Sequence, residues 1–200
     1  MRVPAFVLRY AQRKADQIMS QREPDFFIGG KEDPYMIRWW VIPRNKWFNI
    51  YCHHILKSDR DEALHDHPWI NMSLLVRGSY IEITPEANPW DSLKSEPLRE
   101  GELRVRGPSA AHRLVRPDHV DKVVTFFFTG PVWRHWGFLC RSGWRHWKDF
   151  VGFRDESQNV VGRGCGEMDG PGLPGGRIPI FAPLMQSSDK RPEPLSKAGD

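Results

Sequence analysis

The sequence predicts an all-β fold, preceded by one helix and followed by an irregular tail. Short β-rich runs separated by turn residues fill residues 34–153, helical periodicity is confined to residues 4–20, and glycine and proline crowd the last quarter of the chain. Many short strands with turns between them are typical of a β-sandwich or barrel. We therefore divide the chain into an N-terminal helix and linker (1–33), a barrel (34–153) and an irregular or disordered tail (154–200).

The predicted helix over residues 4–20 has apolar side chains at helical spacing, with arginine, lysine and glutamine between them. Pro24 lies at its end or just beyond it, and Gly29 and Gly30 then form a flexible joint. This helix is a candidate contact for a partner or for a second copy of the chain in a homodimer.

The predicted strands cover residues 36–42, 48–56, 70–84, 102–106, 111–116, 121–129 and 134–140. Residues 85–100 contain three prolines among asparagine, aspartate and serine, which predicts a long surface loop. Residues 143–151 fit either a last strand or a short helix, and their periodicity does not decide between the two.

Composition excludes few functions. The net charge of +4 is spread along the chain, so nucleic-acid binding is neither indicated nor excluded. No apolar run reaches the ~20 residues of a membrane helix, and the N-terminus lacks a secretory pattern, so we expect a cytoplasmic protein. Cys52, Cys140 and Cys165 show no paired spacing, which predicts buried or idle thiols in a reducing cytosol rather than a disulfide framework.

A short motif, Trp-Arg-His-Trp, occurs twice, at residues 133–136 and 144–147. A repeat fold needs a longer unit, so the first explanation is coincidence in a tryptophan-rich chain. The alternative is a cationic aromatic surface that stacks bases or sugars.

A pair of histidines carries the strongest chemical signal. His65 and His67 are two residues apart, so in a strand both imidazoles point to the same face and could bind one cation. A third ligand must come from elsewhere in the fold, and His112, at the start of a predicted strand, is the candidate.

The spacing around these histidines resembles the two motifs of the cupin superfamily. The first motif reads His65-x-His67, three residues, Asn71, six residues, Gly78. The second reads Gly101, five residues, Gly107-Pro108-Ser109, two residues, His112, three residues, Arg116. The chain also resembles cupin-like proteins of phage and bacterial genomes. The resemblance implies a double-stranded β-helix, a jelly-roll barrel with a metal near its mouth.

Three positions depart from the family pattern. Asn71 replaces the usual glutamate, and its amide oxygen is a candidate fourth ligand. Gly107-Pro108-Ser109 replaces Pro-x-Gly, and Arg116 replaces asparagine. Three neutral imidazoles suit Fe(II), Zn, Ni or Cu, and the resemblance favours Fe(II). Because no carboxylate offsets the ion, its +2 charge favours an anionic ligand.

These residues predict a metal-binding protein, with an Fe(II)-type dioxygenase, an oxidoreductase acting on a small polar or anionic molecule, as the first hypothesis. The alternatives are a non-catalytic cupin that serves as a small-molecule sensor or accessory protein, and a nucleic-acid or partner-binding module. The sequence identifies no catalytic residue. The candidate pocket residues are His53, His54, Ser73, Arg77, Tyr80, Glu82, Phe126, Phe128 and Trp136, of which the last three have packing in the core as their simpler explanation.

Overall fold

The computed structural model describes residues 1–28, 30–59, 63–86, 92–140, 142–151 and 164–165. Its elements in chain order are α1 (Ala5–Gln21), β1 (Phe26–Ile28), β2 (Met36–Trp40), β3 (Asn49–Ile55), β4 (Leu64–His65), β5 (Asn71–Arg77), β6 (Ser79–Pro85), β7 (Leu93–Arg99), β8 (Leu103–Arg106), β9 (Arg113–Val115), β10 (Val123–Thr129), β11 (Gly137–Cys140), β12 (Gly143–His146) and α2 (Trp147–Val151).

The strands form one large sheet, in the order β1-β2-β3-β10-β5-β8, and two small sheets, β12-β11-β4 and β7-β6-β9. Every ladder is antiparallel. An isolated antiparallel bridge between His65 and His112 joins the two small sheets edge to edge. The predicted all-β fold with an N-terminal helix is therefore confirmed. Within the described ranges the strand orders are open, so the fold is a sandwich in which no barrel closes.

Helix α1 packs on one face of the large sheet. Ala11 and Ala15 are buried, and their small side chains allow the helix to approach the strands closely. The buried core beneath the helix also contains Trp39, Cys52, Leu74, Val76, Val124 and Phe126. Gln12 Nε2 donates to the carbonyl of Val76 at 2.9 Å, and Asp16 pairs with Arg77, so polar contacts fix the helix in register with the sheet.

The opposite face of the large sheet carries polar and aromatic side chains. Phe127 pairs in the ladders with Tyr51 and with Ser73, and His53 pairs with Arg38. Because successive strand residues alternate between faces, these five side chains lie on the face that points away from α1. That face meets the two small sheets, and the candidate site lies between the layers.

Gly78 makes the turn that divides the predicted strand 70–84 into β5 and β6. Its φ is +78°, a conformation that side chains disfavour, and a Cβ added there would lie 2.0 Å from the carbonyl oxygen of Lys122. Only glycine fits this turn. The motif position therefore has a structural reason that is independent of any metal.

The prediction of a loop over residues 85–100 is wrong for its second half, which forms β7 (Leu93–Arg99). Pro97 is tolerated there because β7 is an edge strand, so the missing N–H faces no partner strand. Residues 143–151 contain both alternatives, β12 followed by α2. The sequence did not predict β1 or β4, which are only three and two residues long.

The prediction for the cysteines also needs correction. Cys140 and Cys165 form a disulfide, and Cys52 is a buried free thiol. Their spacing of 25 residues gave no sign of the pairing. Apart from residues 164–165, the predicted irregular tail (154–200) lies outside the described residues. No described helix is both long and apolar enough to cross a membrane.

Candidate metal centre

The backbone brings two of the three histidines side by side. His65 ends β4, and His112 immediately precedes β9. The amide of each donates to the carbonyl of the other, both at 2.9 Å, and their ring centroids are 4.9 Å apart. The edge-to-edge junction of the small sheets is thus also the junction of two candidate ligands.

His67 completes the group from the loop after β4. Its backbone amide donates to the carbonyl of Pro108 at 3.1 Å, in the turn that precedes His112. Its ring centroid lies 5.3 Å from that of His65 and 5.2 Å from that of His112. The two histidine motifs of the sequence therefore meet through backbone contacts as well as through their imidazoles.

The ring nitrogens fit a shared cation. One ligand nitrogen from each histidine lies within 4.8 Å of those of the other two, and His67 Nε2 is 3.0 Å from His112 Nε2. Two nitrogens bonded to one ion at about 2.1 Å lie about 3 Å apart when the two bonds are perpendicular. The three histidines form a group that could hold a divalent metal.

Burial keeps two of these imidazoles neutral. It lowers the pKa of His67 well below its usual value, and the charges of His112, His65 and two arginines add to this effect. Burial likewise lowers the pKa of His112, with His65 and Arg106 contributing. A neutral imidazole has a free lone pair for a metal, so no proton competes with the ion near pH 7.

A buried carboxylate orients His112. The Nδ1–H of His112 donates to Glu82 Oε1 at 2.6 Å, which leaves Nε2 as the ligand atom. The same oxygen accepts a hydrogen bond from Arg106 Nε at 2.5 Å, and all three side chains are buried. Glu82 lies on β6 and Arg106 on β8, so this chain of contacts ties the site to both layers of the sandwich.

Asn71, the candidate fourth ligand, is 2% exposed. Neither Oδ1 nor Nδ2 of its amide has a hydrogen-bond partner among the described groups, and Nη1 of Arg106, its cross-strand neighbour, also lacks one. Buried polar atoms are almost always satisfied by protein, water or a ligand. A water molecule or a ligand in this wall of the site would satisfy these atoms.

Aromatic rings cover His67. Its ring lies 5.8 Å from Phe127 and 6.4 Å from Trp69, measured between centroids. Phe127 also stacks on His53 at 5.3 Å, and His53 stacks on Tyr51 at 5.8 Å. The candidate pocket residue His53 is thus one ring away from the candidate ligand His67.

Two further candidate pocket residues, Ser73 and Tyr80, also lie between the layers. Both are buried, and a hydrogen bond joins their side chains. Burial is the main cause that raises the pKa of Tyr80. Together with His53 and Glu82, they are the candidate pocket residues that the structure brings to the inner face.

The remaining candidates lie elsewhere. Phe126 and Phe128 pack in the core beneath α1, because they alternate with Phe127. Arg77 pairs with Asp16 of α1. A register shift in the β10–β5 ladder turns its side chain to the face opposite that of Ser73. His54 follows His53 in β3 and therefore lies on the opposite face of the large sheet, the face on which α1 packs. Trp136 stacks on Trp147 in a separate hydrophobic cluster.

Sequence reasoning missed Arg38, Arg106, Trp69 and Phe127. Arg38, Arg106 and Phe127 lie on strands and alternate onto the same face as the site. Alternation along a strand identifies that face only after the strand pairing is known. Asp66 lies between the candidate ligands His65 and His67, but none of its hydrogen bonds to the described residues involves an imidazole. It accepts hydrogen bonds from the Gly137 amide, Trp144 Nε1 and Arg134 Nη1, and so anchors β11 and β12.

The two Trp-Arg-His-Trp segments meet across the β11–β12 hairpin. His135 and His146 have ring centroids 5.2 Å apart, and Trp136 stacks on Trp147. Cross-strand packing of like residues accounts for the histidine and the second tryptophan of each copy, whereas Trp133 and Trp144 are exposed.

No family model matches the chain, and no curated protein matches it. Among solved structures, hydroxypropylphosphonic acid epoxidase from S. wedmorenis is similar with 12% identity and a TM-score of 0.42, over 54% of this chain and 57% of that one. A Ralstonia eutropha protein described as a candidate mannose-6-phosphate isomerase is similar with 15% identity and a TM-score of 0.42, over 52% of this chain and 91% of that one. This chain thus spans little more than half of the epoxidase. Because both TM-scores are below 0.5, we draw nothing about the site from these similarities.

Proposed function

We propose that this chain is a cupin-type protein that binds a divalent transition metal through His65, His67 and His112. We further propose that the ion is Fe(II) and that the protein is an oxygenase acting on a small polar or anionic molecule. The supporting observation is the convergence of three imidazoles, with ligand nitrogens within 4.8 Å of one another, from two distant segments.

The donor set supports a reactive rather than a purely structural metal. Structural zinc sites have four protein ligands, whereas sites that perform chemistry keep open positions. Three imidazoles, with Asn71 as a candidate weak fourth ligand, leave such positions. Bound there, the ion supplies Lewis-acid chemistry, and one-electron chemistry if it is iron.

The chain's own residues prepare the site for this role. Glu82 accepts the Nδ1 proton of His112 and fixes its tautomer. Phe127 and Trp69 flank His67 and limit access of water to that side of the site. Arg106 offsets the charge of Glu82, so the carboxylate orients the imidazole without leaving an unpaired buried anion.

Metal content is the first experiment. We expect purified protein, or protein reconstituted anaerobically with Fe(II), to hold one ion per chain, and His112→Ala to reduce this severalfold or more. His119→Ala is the matched control, because His119 is exposed and seven residues further along the chain. Binding well below one ion per chain, or equal binding by both variants, would refute the metal site.

Oxygen uptake is the second experiment. The iron-loaded protein is supplied with thiols, small carboxylates and phosphonates while dissolved oxygen is recorded. Consumption that requires one of these compounds and is lost in His112→Ala supports the oxygenase. Full iron occupancy without consumption on any of them would favour the non-catalytic sensor instead.

A further inference from the structure

Arg38 has no anionic partner among the described residues of the sandwich. It lies on β2, on the face that points away from α1, and its side chain is partly buried. Its contacts are the ring of Tyr51, 4.7 Å from the guanidinium carbon, and His53, whose Nε2 accepts a hydrogen bond from Arg38 Nε at 2.9 Å. No carboxylate of the described residues pairs with it.

This environment is costly for a cation. The pKa of Arg38 is lowered to about 10, mainly by burial; Tyr51 opposes this shift and the charge of Arg44 adds to it. The other arginines near the site have acidic partners: Arg106 pairs with Glu82, and Arg104 pairs with Glu96. A buried charge is normally paired, so an unpaired one indicates a missing anion.

The free part of the guanidinium has a defined shape. Nε is committed to His53 and one face is covered by Tyr51, so the edge formed by Nη1 and Nη2 remains available. Two parallel N–H groups on that edge match the two oxygens of a carboxylate or a phosphate group. The Arg38 side chain is partly exposed, as a subsite for a ligand that enters from solvent requires.

The same residues connect Arg38 to the metal centre. His53, which Arg38 contacts, stacks on Phe127, and Phe127 lies against the ligand His67. The rings of His53 and Phe127 therefore link Arg38 to His67 on the face that points away from α1.

We propose that Arg38 binds an oxyanion, a carboxylate or phosphate group, of the molecule on which the metal centre acts. The inference rests on the proposed function for the identity of that molecule. His53 positions the guanidinium by holding Nε, and Tyr51 supports its face. The anion would be anchored on β2 while the rest of a small molecule extends past Phe127 toward the histidines.

The test uses metal-free full-length protein, so that no ion attracts the anion. Acetate and inorganic phosphate are titrated separately at constant ionic strength, and the Nε–H signal of Arg38 is followed by NMR, assigned with Arg38→Met. We expect saturable binding of at least one of the two, which identifies the carboxylate or the phosphate class. Arg38→Met should weaken that binding at least tenfold by calorimetry, and Arg38→Lys should weaken it less.

Arg44→Met is the matched control, because Arg44 lies near Arg38 but stacks on Trp40 at the surface. We expect its affinity to stay within twofold of the unmodified protein. Equal losses in both variants would mean a diffuse positive field and would overturn the subsite. So would the absence of saturable binding to the unmodified protein, or unchanged binding by Arg38→Met.

Cobalt(II) uptake, measured in parallel on the same proteins, separates the two proposals. If cobalt uptake is normal but no anion binds, the oxyanion subsite is refuted and the metal site is not. Anion binding that requires Arg38, together with failed uptake by the unmodified protein, removes the metal-dependent function and leaves the oxyanion site established. Arg38→Met itself should take up cobalt normally, because Arg38 touches none of the three histidines.

Discussion

Replacing Glu82 by glutamine tests whether the buried carboxylate holds the metal ligand in place. Glutamine has the same shape, but it carries no charge and presents one acceptor oxygen instead of two. Glu82 Oε1 now accepts from both His112 Nδ1 and Arg106 Nε, at 2.6 and 2.5 Å. In the variant one oxygen with no charge must serve both donors, so the tautomer and the orientation of His112 are less well fixed.

The expected loss in metal affinity is tenfold to a hundredfold, which is about 1.4–2.8 kcal/mol, the usual effect of removing a carboxylate that supports a ligand histidine. The same substitution should also lower the free energy of unfolding. Breaking a buried ion pair costs roughly 3–5 kcal/mol, because the remaining charge of Arg106 is left without its counterion. Domain stabilities are only about 5–15 kcal/mol, so these two effects must be separated.

The double variant Glu82→Gln/Arg106→Met separates them, because it removes the stranded charge together with its partner. We expect it to regain most of the stability that Glu82→Gln loses, measured by urea unfolding of the metal-free protein, while its metal affinity stays low. Affinity is measured by competition of cobalt(II) with a chromophoric chelator. The control Glu96→Gln removes a partly exposed carboxylate that pairs with arginine on β8. Metal affinity of a folded Glu82→Gln variant within twofold of the unmodified protein would refute the orienting role.

Three further predictions concern the fold. Gly78→Ala should lower the free energy of unfolding by at least about 2 kcal/mol, because φ is positive and a backbone carbonyl lies 2.0 Å from the new Cβ, whereas Gly107→Ala, with nothing within 4 Å, should change it by less than 0.5 kcal/mol. Burial lowers the pKa of His53 well below 6.5, so below that pH the folded state binds fewer protons than the unfolded state, and the free energy of unfolding decreases as the pH falls. His53→Gln should therefore reduce the loss between pH 7 and 5.5 by about 1 kcal/mol in urea titrations, and an unchanged slope would contradict this. Replacing Cys140 and Cys165 by serine should cost about 3 kcal/mol under oxidising conditions and nothing in a reductant, since the disulfide closes a loop of 25 residues.

The candidate ligands were predictable because their geometry is local. His65 and His67 are two residues apart, so their rings lie close together although His67 is in the loop after β4, and the motif spacing identified His112 as the third member. The structure adds the physical reason, which is the pair of backbone hydrogen bonds between His65 and His112. A sequence pattern can identify such a bridge when both partners carry the same chemistry.

The surroundings of the site depend on strand pairing, which the sequence did not reveal. Glu82 was a weak pocket candidate because nothing local connects it to His112, thirty residues away. Arg77 was a similar candidate, expected to face the pocket if the strand was regular, but the register shift in the β10–β5 ladder turns it toward α1. One irregularity of this kind reverses the face of every residue beyond it, so parity becomes less reliable with distance from a known position.

Arg106 has an acidic partner and Arg38 has none among the described residues, because their strands lie at different positions in the large sheet. Arg106 is on β8, at the edge of the large sheet, where Glu82 of the other layer reaches it. Arg38 is on β2, four strands along the sheet order, where the described residues supply aromatic rings and a histidine but no carboxylate. Since three neutral imidazoles leave the full +2 charge on a bound ion, metal binding adds to the excess positive charge near Arg38. Charge repulsion in a low dielectric then opposes metal binding until an anion enters, so metal and oxyanion should each raise the affinity of the other.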